Sequence, residues 1–575
     1  MFEVWAPDAA SVEVEVGGAR HPMVAGPRGW WRAEVPGAGH GTDYAFRIDG
    51  GPPLPDPRTR RQPYGIFGPS RVYDHGRFTW SDHDWRGRDL RGAVIYELHI
   101  GTFTPEGTFA AAVTKLDHLV RLGVDLVEIM PVPPVPGRRN WGYDGVDLWA
   151  VNEEYGGPDG LKIFADACHN AGLGVLLDVV YNHLGPSGNF LAEFGPYFHE
   201  SAASFWGRAV NLDGPWSDEV RAYFIGNATQ WLRDYHLDGL RLDAVHALVD
   251  KRATHFLEEL ATEVDTLSGA LGRPLTLIAE SDLNDPRLVT SREAGGYGLT
   301  AQWNDDVHHA LHAAVTGEDH GYYGDFGSLA ALAKTLTSAF LHDGTYSSFR
   351  GRRHGRPVDR TRVPGHRFVC CVQNHDQIGN RAEGDRMDHE SLKLAAGLLL
   401  TSPFTPMLYM GEEWAATAPF LFFTDHVEEH LREGEADRRR REFVGFGYDD
   451  WAEKAPDPSA ESTFLRSKLD WREIDYELHR AHLNWYRDLI ATRKAFPELF
   501  DPRLDRVAVD FDEDERWLVM RRGTLRVAAN LGEEPRDVPM PPGQVLLASD
   551  EDTRVRPGGV RLPGRSLAVL RLLDP

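Results

Sequence analysis

Between Ala93 and Met410 the chain alternates eight times between short apolar runs of strand length and longer stretches with helical or loop-like spacing. The runs are Val94–Leu98, Val124–Ile129, Gly174–Val179, Gly239–Asp243, Leu275–Glu280, Leu299–Trp303, Phe368–Gln373 and Pro406–Met410. Helical spacing separates the first three, over Phe109–Leu122 and again around Leu161–Ala171. A strand that is apolar on both faces must be covered on both, and strand–helix alternation supplies that cover in a parallel sheet. An open doubly wound sheet meets the same condition, but eight strands over roughly four hundred residues suit a closed α/β barrel of the (β/α)8, or TIM, type with loop insertions.

The flanks follow a different rhythm. Ser11–Val16 and Tyr44–Ile48 alternate with period two, the second ending at the turn pair Gly50-Gly51. An N-terminal β-sandwich over residues 1–88 is expected, its Pro-rich stretch from Gly51 to Pro69 leading toward a barrel over 89–495. After Phe496 short strands return at Arg506–Phe511, Arg516–Arg521, Leu525–Asn530 and Ser566–Leu573, which predicts a C-terminal β-sandwich over 496–575. No internal repeat or low-complexity segment is present.

Composition narrows the function classes. A chain of 575 residues exceeds one ordinary core, so two to four domains are expected. The formal net charge of -25 repels phosphate backbones, which argues against nucleic acid and suits a neutral substrate. The run Arg438–Arg441 is short and diluted by nearby Glu, and reads as a solvated helix face. Cys168, Cys370 and Cys371 have no C-x-x-C spacing, so neither a disulfide framework nor a zinc site is expected, and no metal or cofactor is assigned. The N-terminus lacks a basic patch followed by an apolar stretch, and Leu394–Met410 is interrupted by Pro403 and Pro406. A cytoplasmic chain without a membrane span is the expectation.

The C-terminal ends of barrel strands form an active-site floor, so polar residues there are functional candidates. Four ends carry acids and imidazoles: Asp178 to His183, Arg241 to His246, Glu280-Ser281, and Gln373 to Asp376. One such Asp is often a helix cap; four in order are not explained that way. Glycosidic cleavage needs one carboxylate at the oxocarbenium-like carbon and one protonated carboxyl at the leaving oxygen, roughly 5 Å apart in retaining enzymes. Asp243 and Glu280 end consecutive strands, about 4.8 Å apart in a sheet, and meet that need. Arg241 shares a face with Asp243 and can hold it ionised. Glu280, after an apolar run and among other carboxylates, is placed to keep its proton. The chemistry therefore makes Asp243 the nucleophile and Glu280 the acid/base.

These four segments resemble the four signature regions of the α-amylase superfamily, in order. The resemblance covers most of the chain and departs from the family at no catalytic position. It implies that Asp376 stabilises the distorted sugar, that His183, Arg241 and His375 hold the hydroxyls and carboxylate around it, and that Asp178 is an internal brace. A barrel kept only for carbohydrate binding would be expected to lack a catalytic carboxylate, and all three are here.

Other stretches resemble one branch of the superfamily, the maltooligosyltrehalose trehalohydrolases: Leu54–Pro63 with Gly65 and Gly68-Pro69-Ser70, Asn140–Val146, Ala301–Ala310 and Gln373–Arg381. That branch implies hydrolysis of the α-1,4 bond between a maltooligosaccharide and a terminal trehalose, with maltooligosyltrehalose as partner. Glycogen branching enzymes share the N-terminal sandwich and the Trp-Gly-Tyr motif, and remain the alternative. Tyr143 is expected to stack on the cleaved sugar, since a pyranose offers an aromatic ring its C–H face. Trp141, Trp206, Trp216 and Trp303 suit either further sugar subsites or the core. Asp305 and Asp306 suit either trehalose hydroxyls or the cap of the next helix. His99 is expected to pack in the barrel floor.

Overall fold

Eight parallel strands close into a barrel in the computed structural model, which describes residues 1–204, 207–445 and 454–573. They are β1 (Ile95–Leu98), β2 (Leu126–Ile129), β3 (Gly174–Val179), β4 (Gly239–Leu242), β5 (Thr276–Ala279), β6 (Ala301–Trp303), β7 (Phe368–Cys371) and β8 (Thr405–Tyr409). The ring closes where β8 pairs with β1, Met407 opposite Ile95. The closed sheet excludes the open doubly wound alternative, and every strand overlaps an expected run, β6 shorter than expected and β8 starting one residue early at Thr405.

The helices depart from expectation in detail. The stretch Phe109–Leu122 is not one helix but two, Phe109–Val113 and Leu116–Leu122. The break falls at Thr114, after β-branched Val113, and the Thr114 N–H is shared between the Ala111 and Ala112 carbonyls. The helix expected from Leu161 starts earlier, at Gly157, with Pro158 in its first turn where a missing N–H costs nothing.

Strand parity sets the floor of the site. Ile95, Leu126, Leu176, Ile278, Ala301, Val369 and Met407 form an apolar layer inside the barrel. Two residues farther along, on the same face, stand Glu97, Glu128, Asp178, Arg241 and Trp303, all buried. Buried charge is costly unless paired: here Asp178 meets Arg241 and Glu97 meets His375, whereas Glu128 has no hydrogen-bond partner, and burial with the nearby Glu97 and Asp178 carboxylates raises its pKa well above the ordinary glutamate range. On the same parity Asp243 follows Arg241 by two residues and Glu280 follows Ile278 by two, and since Arg241 and Ile278 are paired the two carboxylates arrive together at the rim.

The N-terminal unit is two facing sheets. One holds Phe2–Trp5, Trp30–Ala33 and Val24–Ala25; the other holds Ala19–Pro22, Val12–Val16, Asp43–Ile48 and Ser70–Arg71. Its attachment to the barrel is dense. Arg58 lies over the rings of Trp30, Trp149 and Tyr223, the Tyr223 hydroxyl donates to the Pro57 carbonyl (3.0 Å), and Arg61 makes a two-pronged pair with Glu153 (2.8 and 3.1 Å). The C-terminal unit is a second sandwich, a five-stranded sheet (Val507–Asp512, Trp517–Arg522, Leu525–Asn530, Ser566–Leu572, Gly543–Ala548) against a three-stranded one (Arg536–Pro539, Gly559–Leu562, Arg554–Arg556). Val519, Ala528, Val538, Val560 and Leu570 fill the space between them.

Apolar side chains of both sandwiches and the barrel belong to one contiguous core cluster, from Phe2 to Val569. The three cysteines are buried and free. No helix among the described residues is long and apolar enough to cross a membrane. The expectation for the Arg438–Arg441 run is corrected at one position. Arg439 is buried, donates to the Asn380 side chain and the Gly379 carbonyl, and lies over the Phe422 ring.

Candidate active site

Asp243 follows β4 and Glu280 follows β5, one step past the paired residues Leu242 and Ala279; the Glu280 N–H donates to the Leu242 carbonyl (2.9 Å). The two carboxylates thus stand on neighbouring strands at the same level. A single guanidinium lies between them: Arg241 Nη1 is 2.9 Å from Asp243 Oδ1 and Nη2 is 3.6 Å from Glu280 Oε2. Arg241 is fully buried and rests on the Trp303 ring (4.1 Å to the centroid), while Nη1 also meets both oxygens of Asp178 (2.8 and 2.7 Å). Asp178 is therefore the internal counter-charge of Arg241.

The second oxygen of Asp243 accepts from Asn182 Nδ2 (2.7 Å), which fixes the carboxylate plane. Glu280 Oε2 accepts from the backbone N–H of Ala244. Ala244 has φ 40° and ψ 51°, left-handed values that an alanine rarely adopts, and this bend is what turns its N–H toward Glu280. Burial raises the Glu280 pKa to about 8; Arg241 works against this, and the carboxylates of Asp243, Asp376 and Asp305 add to it.

The imidazoles are held by what surrounds them. Asn374 caps the helix His375–Gly379, accepting from the Gln377 N–H, and so fixes His375 and Asp376 in its first turn. His375 Nδ1 is 2.5 Å from Glu97 Oε1, and Nε2 lies 2.8 Å from the Tyr143 hydroxyl and 3.5 Å from Asp376 Oδ2. Burial opposes the charge on His375, but Asp376 and Glu97 outweigh it and raise its pKa to about 9. The Tyr143 hydroxyl donates to Asp178 (2.5 Å), and its ring stacks on His375 at 5.2 Å. His183 sits between the Asn182 side chain (2.6 Å) and the Tyr143 carbonyl (3.1 Å). Asp243, Glu280, Asp376, Arg241, His375, His183 and Tyr143 are thus gathered around one barrel mouth.

A local turn aims Tyr143. Asn140 accepts from the Gly142 N–H (2.8 Å) and donates to Asp144 (2.6 Å). Gly142 has φ 107°, and a Cβ there would lie 2.3 Å from the Pro131 carbonyl oxygen, so only glycine fits.

The aromatic expectations need correction. Trp303 is buried beneath Arg241, and its face is taken up by the guanidinium rather than open to a sugar. Trp141 is buried, stacked on Phe420 (5.0 Å) and bonded to the Leu421 carbonyl. Trp216 is exposed at the seam with the N-terminal sandwich, edge-on to Trp5. Trp206 lies outside the described residues. The helix after β6 is capped by Asn304, not by either aspartate. Asp306 accepts from the Leu341 and His342 N–H groups and from Asn284, and so braces a loop. Asp305 faces the mouth; its pKa is raised to about 7 by burial and the carboxylates of Asp282, Asp306 and Asp376. His99 is packed in the floor against Thr102, Asn140 and Tyr155.

Sequence reasoning passed over Glu97, Glu128 and Asn182. Glu97 and Glu128 are single acids inside apolar runs, and only their inward parity marked them. Among the described residues no group of three or more His, Cys, Asp or Glu side chains is arranged to hold a metal ion.

A closed parallel barrel with two aspartates, a glutamate, an arginine and two histidines converging at the ends of β3, β4, β5 and β7 has the architecture of an α-amylase-type glycoside hydrolase. The family model for the alpha amylase catalytic domain matches residues 75–207, and the model described as Domain of unknown function (DUF3459) matches 502–569. Malto-oligosyltrehalose trehalohydrolases of Rhizobium sp. (strain M-11) and Arthrobacter ramosus are 53% and 54% identical to this chain, each over 99% of it and over 97% and 99% of their own lengths. A solved structure of a Salmonella typhimurium protein named as an alpha amylase superposes with a TM-score of 0.90 at 38% identity, covering 99% of this chain and 97% of that one. The 1,4-alpha-glucan branching enzyme of Bacillus caldolyticus is 27% identical, over 91% of this chain and 75% of its own. This chain belongs to the malto-oligosyltrehalose trehalohydrolase family.

Proposed function

We propose that this protein is a retaining α-glycosidase that cleaves the α-1,4 bond joining a maltooligosaccharide to a terminal trehalose, releasing trehalose. Asp243 attacks the anomeric carbon to give a glycosyl-enzyme while Glu280 gives its proton to the departing oxygen. Glu280 then takes a proton from the water that hydrolyses the intermediate. Asp376, His375 and His183 hold the hydroxyls of the sugar being cleaved, and Tyr143 packs against it. The observation that carries this reading is the one guanidinium bridging Asp243 and Glu280: it stabilises the charge on the nucleophile, while Glu280, at the more distant nitrogen, keeps its proton.

Incubation with maltopentaosyl-trehalose is expected to give trehalose and maltopentaose. Intact substrate alongside rapid cleavage of plain maltodextrin would reject the reading, and a shift in amylose iodine colour without short products would point to transfer. Asp243→Ala is expected to lower kcat by at least about 10⁴-fold with folding unchanged. The sandwiches, taken as 1–88 and 496–575 around a barrel of 89–495, serve as scaffold in this proposal, and the protein is placed in the cytoplasm.

A further inference from the structure

The chain carries a formal net charge of -25, yet one corner of the C-terminal sandwich is strongly basic. A cleft of about 390 Å³ there is walled by Arg503, Arg506, Arg521, Arg522 and Arg526, with Glu498 and Asp501 the acids among its lining residues. It lies away from the catalytic mouth. Arg522 shares the Leu499 carbonyl with Arg493, and Arg493 also meets the carbonyls of Ser402 and Phe404, just ahead of β8 at the barrel end opposite the active-site floor.

The strand register brings like charges together. Arg521 stands directly across from Arg526 on the neighbouring strand, and Arg522 is paired with Val507, the residue after Arg506. Like charges directly opposite each other weaken a sheet. Arg503 pairs with Asp501 (2.5 Å) and Arg521 with Asp510 (3.1 Å). Among the described residues Arg506, Arg522 and Arg526 have no carboxylate within ion-pair distance. Arg526 donates to the carbonyls of Gly523 and Leu525, and Arg522 Nη2 to those of Leu499 and Asp501 (3.0 and 2.8 Å). Arg522 is buried, and its Nε has no partner. Burial and the neighbouring charge of Arg493 lower the Arg522 pKa to about 9; burial and Arg521 lower that of Arg526.

The backbone that carries these arginines is held in place. Arg360 Nη2 donates to the carbonyls of Leu504 and Val507 (2.7 and 3.1 Å), which fixes Arg506 between them. Gly523 turns the chain with φ 56°, and a Cβ there would lie 2.9 Å from Glu498 Cγ. The Thr524 hydroxyl donates to Glu498 (2.9 Å), tying that acid to the turn rather than to an arginine.

Guanidinium groups are planar forks that match the oxygens of a phosphate, and a preset group of them favours a doubly charged tetrahedral anion over a monovalent ion. The volume is that of a small-molecule site rather than of a single ion. We propose that this cleft binds a small phosphorylated metabolite through Arg506, Arg522 and Arg526, apart from the catalytic mouth, and that the bound anion strengthens the joint between barrel and C-terminal sandwich. The phosphate supplies the negative charge that the sheet register lacks, next to the arginine pair that spans the joint.

The test is calorimetric titration of the full chain at about 0.15 M salt, with inorganic phosphate, pyrophosphate and glucose 6-phosphate as probes. At least one probe is expected to fill a single saturable site and to raise the melting temperature until that site is full. Whichever of the three binds tightest identifies the source of the phosphate. Arg506→Ala and Arg526→Gln are each expected to weaken binding about tenfold or more, to reduce the thermal shift in step, and to leave kcat unchanged. No saturable binding of any probe overturns the proposal, as does binding that both variants leave as it was. Equal competition by chloride, which plain charge screening would give, overturns it too. Retention of heparin without binding of the small probes would make the corner a polyanion surface, and that also ends the assignment. Arg506 is exposed, so if Arg526→Gln does not fold, Arg506→Ala decides the matter alone.

Discussion

At the scale of single residues, the site depends on two carboxyls of unlike protonation sharing one cation. Glu280, with its pKa raised to about 8, is a carboxylic acid at neutral pH and loses its proton as the medium passes that value. The alkaline limb of kcat/KM is therefore expected to fall near pH 8; a limb flat to pH 10 would remove Glu280 from the acid role. The same shift has a stability consequence. Between the ordinary glutamate value of 4.5 and about 8 the folded chain holds this proton and the unfolded chain does not, so rising pH costs stability over that window and no more beyond it. Glu280→Gln has no proton to lose. Its melting temperature relative to wild type is expected to climb from pH 5 to pH 8 and then level off, which differential scanning at several pH values would show.

At the scale of elements, the barrel strands place chemistry by parity and depth. Parity could be read from the chain: Arg241 and Asp243 share one face of their strand, and Glu280 shares a face with inward Ile278. Depth could not, because it depends on how each strand is staggered in the closed ring. Trp303 shows the cost, since its inward direction was legible but its position one layer below the mouth was not. Trp303→Ala is accordingly expected to destabilise the fold by about 3–5 kcal/mol and to lower kcat through a loosened Arg241. Trp303→Phe should retain much of both. A sugar platform would instead raise KM with stability intact, so denaturant unfolding beside steady-state kinetics separates the two roles.

The element boundaries tell a similar story. β3 was legible because Gly174 opens an apolar run that gives way to Asn182-His183 soon after Val179. The strands Arg536–Pro539, Arg554–Arg556 and Gly559–Leu562 were not, being short, rich in Arg and Pro, and partly exposed, so that pairing rather than pattern defines them. The hairpin of Tyr346–Ser347 with Arg352–Arg353 was likewise invisible in the sequence, because it is anchored by a contact between Asp282 and Arg350.

At the scale of the whole molecule, buried arginines tie the barrel to its C-terminal partner. Arg493 donates to the carbonyls of Leu400, Ser402, Leu499 and Phe404, and burial lowers its pKa to about 10. Arg493→Ala would leave four inward-facing carbonyls unmet and is expected to cost about 3–5 kcal/mol, lowering a single calorimetric transition without splitting it. Two transitions would mean that the units unfold apart. The guanidinium of Arg58, wedged among Trp30, Trp149 and Tyr223, does the corresponding job at the other end. Among the described residues, each sandwich is thus pinned to the barrel that carries the catalytic mouth. Adaptation of this scaffold to longer, shorter or differently capped glucans must then come by exchanging rim loops, one at a time, over a frame that stays still.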